Sequence, residues 1–307
     1  MNIKKRLPVQ SALLSLTMGM YFCTPTDEPV DLQAPDILPV SGMDAISPSP
    51  GASFSPNSPG MNVVFKVADP QGIQEILLDV HGGFDGHSHG RVLGDFERLN
   101  VRRIFSSTAS DPKLRIEQGA TEVSIDSYRL AWEGVDSDVQ GNVLAGPYHL
   151  TISATDVEGN QTGFADGSNY HTTFYIERPY APSLEVPTSI EATAGSPLVL
   201  SGQILRTSHA ISTDIKFVWL RLLNRESLDD AEEDDQIRVF GELKAGQSSW
   251  RNLSGNSIPS GETFDLTSWL QQNPIQIPNG QANLVVVVWC EDMAGNVSRK
   301  AIPVKVN

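Results

Sequence analysis

The sequence predicts an all-β chain folded as two tandem β-sandwiches, and three observations carry that prediction. Short β-branched or alternating runs recur from about residue 35 onward, clusters of Gly, Pro, Asn and Asp separate them, and long helical periodicity is absent. The chain has 307 residues, 39% hydrophobic and 19% charged, an ordinary composition for a folded protein of about two domains.

In the first half, Met61–Val67 is β-branched and partly alternating. In Ile73–His81, Ile76, Leu78 and Val80 fall on one face, and Glu75, Asp79 and His81 on the other. Val123–Trp132 reads as a further strand. Tyr148–Asp156 points Tyr148, Leu150, Ile152 and Ala154 one way and His149, Thr151, Ser153 and Thr155 the other, and His171–Ile176 closes the domain. The second half repeats the scheme with Leu198–Leu205, Ile215–Leu223, Ile237–Leu243, Leu284–Cys290 and Ile302–Val306. Short helices are expected near Val92–Ile104 and at Asp265–Gln272, the latter capped by Asp265. Three prolines in Arg178–Pro187 mark that span as the linker.

A faint duplication joins the halves. Asp156-Val-Glu-Gly-Asn160 recurs as Asp292-Met-Ala-Gly-Asn296, each copy after an apolar strand and before its domain's last strand. Glycine reaches positive φ and aspartate bonds to its own turn backbone, so both copies are expected as tight turns, with calcium as the weaker reading. Strands this short, with turn signals this regular, favour an immunoglobulin-like sandwich in each half, over 35–178 and 179–307.

The N-terminus reads as an export signal over residues 1–22. Lys4, Lys5 and Arg6 precede a moderately apolar stretch, Ser11–Phe22, that is too short to span a bilayer. It ends at Cys23, where a bacterial lipoprotein is cleaved and acylated; residues 23–34 then form a lipidated, polar tether. Tyr21 and Phe22 are bulkier than the small residues usual before such a cysteine, and an ordinary signal peptide cut nearby is the alternative. The expected location is the cell envelope, as an outer-membrane lipoprotein on the periplasmic face or the cell surface. With Cys23 acylated, Cys290 has no disulfide partner and is expected as a buried thiol. The net charge of −15 argues against nucleic-acid binding.

His81-Gly-Gly-Phe-Asp-Gly-His-Ser-His-Gly90 is the segment that carries chemistry, with three of the chain's six histidines. Neutral imidazole binds zinc, copper and nickel. His87 and His89 share a face in extended backbone, and the glycines let the loop bring His81 toward them. His149, on the polar face of another strand, is a candidate fourth ligand. Asp85 is a candidate ligand or an acceptor that orients an imidazole. His171 and His209 are expected as ordinary surface histidines. Asp229–Asp235 is expected as a solvated acidic loop, and Asp136–Asn142 lacks the acidic spacing of an EF-hand.

Asp85-Gly-His-Ser-His89 also resembles the metal-binding signature of amidohydrolases. That family needs a (β/α)8 barrel, which the strand-and-turn pattern here excludes. No nucleophile elbow, phosphate loop or zinc-protease helix is present in the sequence, and the chain is not expected to be an enzyme.

Ala34-Pro-Asp-Ile37, His81-Gly-Gly-Phe-Asp-Gly-His-Ser-His89, Gly146-Pro-Tyr-His149 and Asp156-Val-Glu-Gly159 together resemble a family of uncharacterised Bacteroidota-type lipoproteins built on a domain of unknown function. The resemblance covers the first domain, with the second as a diverged copy lacking the histidines. It departs at Gly86, where that family often has another histidine. It implies an immunoglobulin-like fold, an envelope location and metal capture near outer-membrane uptake receptors. The expected function is therefore binding of zinc or copper through His81, His87, His89, His149 and Asp85. The alternative is a structural or adhesive surface protein whose sandwiches bind a protein or glycan, with the histidines incidental.

Overall fold

The computed structural model describes residues 32–83, 95–224, 250–254, 262–280 and 282–307. Strand dominates these residues, and the chain has the expected immunoglobulin-like, all-β sandwich fold.

In the first half, β1 (Asp36–Leu38), β3 (Gly60–Ala68) and β7 (Glu122–Ala131) form one sheet in the order β1-β3-β7. Against it lies the sheet β2-β10-β9-β4-β6, built from β2 (Ser53–Phe54), β4 (Ile73–Gly82), β6 (Val101–Ser106), β9 (Gly146–Asp156) and β10 (Tyr170–Ile176). A small parallel pair, β5 (Phe96–Glu97) with β8 (Asn142–Val143), sits beside them.

The second half uses the same plan. β11 (Ser183–Glu185), β13 (Gln203–Leu205) and β16 (Thr263–Asp265) form a sheet in that order. The other sheet runs β12-β18-β17-β14-β15, from β12 (Ile190–Ala192), β14 (Ile215–Asn224), β15 (Trp250–Ser254), β17 (Asn283–Asp292) and β18 (Val297–Val306). In both large sheets an edge strand (β2 or β12) runs parallel to the last strand of its half, and every other pairing is antiparallel. The duplication faint in the sequence is thus plain in the strand order.

Alternation positions the cores. Ile76, Leu78 and Val80 of β4 and Tyr148, Leu150 and Ile152 of β9 are fully buried in the first core. Val286, Val288, Cys290 and Ile302 do the same in the second. Burial pushes the Cys290 thiol well above its ordinary value, so it behaves as a small hydrophobe.

Both Asp-x-x-Gly-Asn segments are tight turns of one design. Asp156 Oδ1 accepts from the backbone N–H groups of Glu158 and Asn160, and its Oδ2 from the Asn160 amide. Asp292 makes the matching bonds to Ala294 and Asn296. Gly159 and Gly295 take φ of 95° and 96°, which a side chain would strain.

Three stretches depart from expectation. Where a helix was expected near Val92–Ile104, residues 96–97 and 101–104 are strand; Leu99, Val101 and Phe105 are buried with period two, a strand's spacing. In Leu198–Leu205 only β13 joins the ladder: a Cβ on Gly202, which has φ of 149°, would lie 2.4 Å from the Glu185 carbonyl oxygen, so strand geometry begins after it. The Arg178–Pro187 span contains β11, and its Arg178, Tyr180 and Ala181 are buried. The second expected helix is present as α1 (Leu266–Gln272), with Asp265 accepting from Ser268 N–H at 3.0 Å. Ile237–Leu243 and Asp229–Asp235 lie outside the described residues.

The two halves meet at a hydrogen-bonded seam. Val297 N–H donates to the Ala145 carbonyl at 2.9 Å, and Ala145 N–H donates to Asn296 Oδ1 at 3.1 Å. Tyr180 donates its hydroxyl to the Val143 carbonyl and packs on Phe96 and His209. Trp289 and Val297 of the second half belong to the first half's buried core.

Candidate functional site: a row of histidines across one sheet

The large sheet of the first half carries three imidazoles in a row. Register places His81 of β4 directly opposite His149 of β9, and their rings stack with centroids 5.5 Å apart and planes 20° apart. His149 lies opposite Thr173 of β10, which brings His171, two residues earlier on β10, onto the same face as a diagonal neighbour. His149 Nδ1 and His171 Nε2 are 3.0 Å apart, with ring centroids at 5.1 Å. A hydrogen bond between two imidazoles needs one N–H and one lone pair, so at least one of the two rings is neutral.

The row is held at both ends. Asp79, two residues before His81 and on its face, approaches His81 Nδ1 at 2.7 Å through Oδ1. The Phe164 ring meets His171 edge-on, at 5.7 Å between centroids. Above His149 lies backbone. Gly83 donates its N–H to the Pro147 carbonyl at 2.9 Å, and a Cβ at Gly83 would fall 2.5 Å from His149 Cδ2 and 2.6 Å from Nε2. Gly83 is therefore a close-approach glycine as well as a loop residue, and the backbone just past β4 helps to bury His149 to 4% exposure.

Of the residues expected to form the site, the structure brings His81 and His149 together. His87, His89 and Asp85 lie outside the described residues, as does Cys23. Among the described residues, no group of three or more His, Cys, Asp or Glu is arranged to hold a metal ion. His171, expected as an ordinary surface histidine, is the member that sequence reasoning missed. Its position depends on the β9–β10 register, a contact between distant residues. The polar face of the His171–Ile176 strand was the available signal.

Two carboxylates elsewhere in the first half are committed to structure. Asp138 accepts from Arg103 at 2.6 Å and from Ala131 N–H at 2.9 Å, and Glu97 accepts from Gln140 N–H at 2.6 Å. Among the described residues, no helix is long and apolar enough to cross a membrane.

Three solved structures illustrate what the chain is similar to. PorU of Porphyromonas gingivalis, in its dimeric latent form, shows 13% identity and a TM-score of 0.28 over 92% of this chain and 21% of its own. SGBP-B of the Bacteroides ovatus mixed-linkage glucan utilization locus, solved with a mixed-linkage heptasaccharide, shows 12% identity and a TM-score of 0.25 over 91% of this chain and 48% of its own. The N-terminal Ig1-2 module of the Drosophila receptor protein tyrosine phosphatase DLAR shows 11% identity and a TM-score of 0.22 over 90% of this chain and 100% of its own. The chain thus spans under half the length of the first two. No curated protein matches it. Residues 21–167, which hold His81 and His149 and stop short of His171, match the family described as a domain of unknown function, DUF4625.

Proposed function

We propose that this chain is a non-enzymatic binding protein of the cell envelope, whose paired sandwiches present loops and a shared cleft to a protein or glycan partner. The observation that carries the reading is the seam. Asn296, Val297 and Trp289 tie the second sandwich into the first, so surfaces from both halves are held in one fixed arrangement. Pre-organised surfaces lose less entropy on binding than surfaces joined by a loose linker. In this reading a lipid on Cys23 holds the chain at the membrane, with an outer-membrane receptor or another surface protein as a candidate neighbour. Probing defined glycan and surface-protein arrays with the full chain, before and after chelation, tests it. Saturable capture that survives chelation is expected, and capture of nothing on either array overturns the reading.

The histidine row supports a second reading, in which the first sandwich binds zinc or copper. His81 and His149 pair on one face of the sheet, and His171 adds a third imidazole beside them. His81, His149, His87 and His89 would supply imidazole nitrogen, with Asp85 as ligand or orienting acceptor. Equilibrium dialysis against Zn(II) and Cu(II) compares wild type with His149→Ala and with the double variant His87→Ala/His89→Ala. Stoichiometric uptake lost in both variants supports the reading, and equal uptake by all three proteins removes it.

A further inference from the structure

We infer that the cleft between the two sandwiches binds a carboxylate-bearing saccharide; this rests on the binding reading above and names the ligand class. The cleft has a volume of about 470 Å³. Small-molecule sites have this size and favour junctions between domains. Its walls come from the ends of β2 and β10, the first half of β18, and residues 177–184 that link the sandwiches.

The charge there runs against that of the chain. Arg178, Arg299 and Lys300 line the cleft with one carboxylate, Glu177, in a protein of net charge −15. Glu177 is engaged by the Ser53 hydroxyl, and Arg178 is held from outside the cleft by Glu133 and by the Ser58 carbonyl. Lys300 gives one N–H to the Val186 carbonyl at 3.1 Å, leaving two more donors on the ammonium. Arg178 Nε and Thr207 Oγ1, on residues that line the cleft, are buried with no hydrogen-bond partner among the described residues. The Arg178 side chain is only 7% exposed, and an N–H left unsatisfied at such a site is costly. A carboxylate accepting from Lys300 Nζ, beside the positive charge of Arg178 and Arg299, forms a charge-assisted bond there.

The remaining walls fit a sugar body. Pro56, Pro179 and Pro182 add apolar surface to the lining, which suits the C–H face of a pyranose, and Thr207 adds a polar residue beside them.

Calorimetric titration of the full chain with galacturonate trisaccharide, and with its neutral methyl ester, tests the inference. Saturable binding of the acid is expected, at least tenfold tighter than the ester. Lys300→Glu and the near-isosteric Thr207→Val, each checked for native melting, are expected to weaken it at least tenfold and several-fold respectively. Equal binding of acid and ester, no saturable binding of the acid, or unchanged affinity in both folded variants would overturn it. The outcomes separate the two proposals. Array capture that persists in Lys300→Glu removes the cleft and leaves the binding reading, whereas an array that captures nothing removes the binding reading.

Discussion

Asn296 accepts the Ala145 N–H through its side-chain oxygen at 3.1 Å and gives its amide hydrogen to Asp292 at 3.0 Å. One fully buried side chain thus closes a hairpin in the second sandwich and binds that hairpin to the first.

Asn296→Ala leaves a buried backbone N–H and a buried carboxylate oxygen each short of a partner. A loss of about 1–3 kcal/mol is expected, as for other buried groups stripped of their hydrogen bond. Denaturant unfolding measures it. The companion variant Asn160→Ala, in the turn outside the seam, is expected to lose less; an equal loss would show that the seam bond contributes nothing.

Gly83→Ala places a methyl group against the His149 ring, 2.5 Å from Cδ2 by the present backbone. Overpacking of this kind costs about 1–3 kcal/mol. The shift is expected in the NMR signals of the His149 and His171 imidazoles, with those of His209 unchanged. An undisturbed His149 signal would mean that the Gly83 backbone yields freely.

The two turn aspartates are expected to respond oppositely to pH. For Asp156, burial raises the carboxyl pKa, but bonds from Asn160, Gly159 and Glu158 outweigh it, and the net shift is downward. For Asp292 under the seam, burial wins over the bonds from Asn296, and the net shift is upward. The stability Asp156 contributes is present above its unfolded value and is lost as pH falls through its folded one. The contribution of Asp292 is present below its unfolded value and is lost as pH rises through its folded one. On raising the pH through the carboxylate range, the gap between wild type and Asp156→Asn should widen, while the gap for Asp292→Asn should narrow. Urea melts at several pH values read this directly, and gaps moving in the same direction would contradict it.

Cys290, fully buried and with its thiol pKa raised, should resist alkylation in the native protein and react only as the second sandwich opens. Labelling rates followed by mass spectrometry across urea concentrations should track unfolding. Rapid labelling without denaturant would contradict the burial.

The sequence made the strands legible wherever burial alternates cleanly, as in Tyr148, Leu150, Ile152 and Ala154. It misled at Val92–Ile104, because Phe96, Leu99 and Arg103 also match helical spacing, and only packing chooses between the periods. The pairing of His81 with His149 was half visible, since each sat on a polar face. His171 was not, because joining it to His149 requires knowing which residue of β10 faces which residue of β9. The cleft was likewise invisible: Arg178, Thr207 and Lys300 are far apart in the chain and meet only where the sandwiches join.

Trp289 and Val297 sit in a core that is otherwise built by residues before position 177. Melting the C-terminal sandwich would pull both side chains out of their neighbour and leave a hole behind them. Heating should therefore give one calorimetric transition, and a truncation ending near residue 180 should be markedly less heat-stable than the full chain.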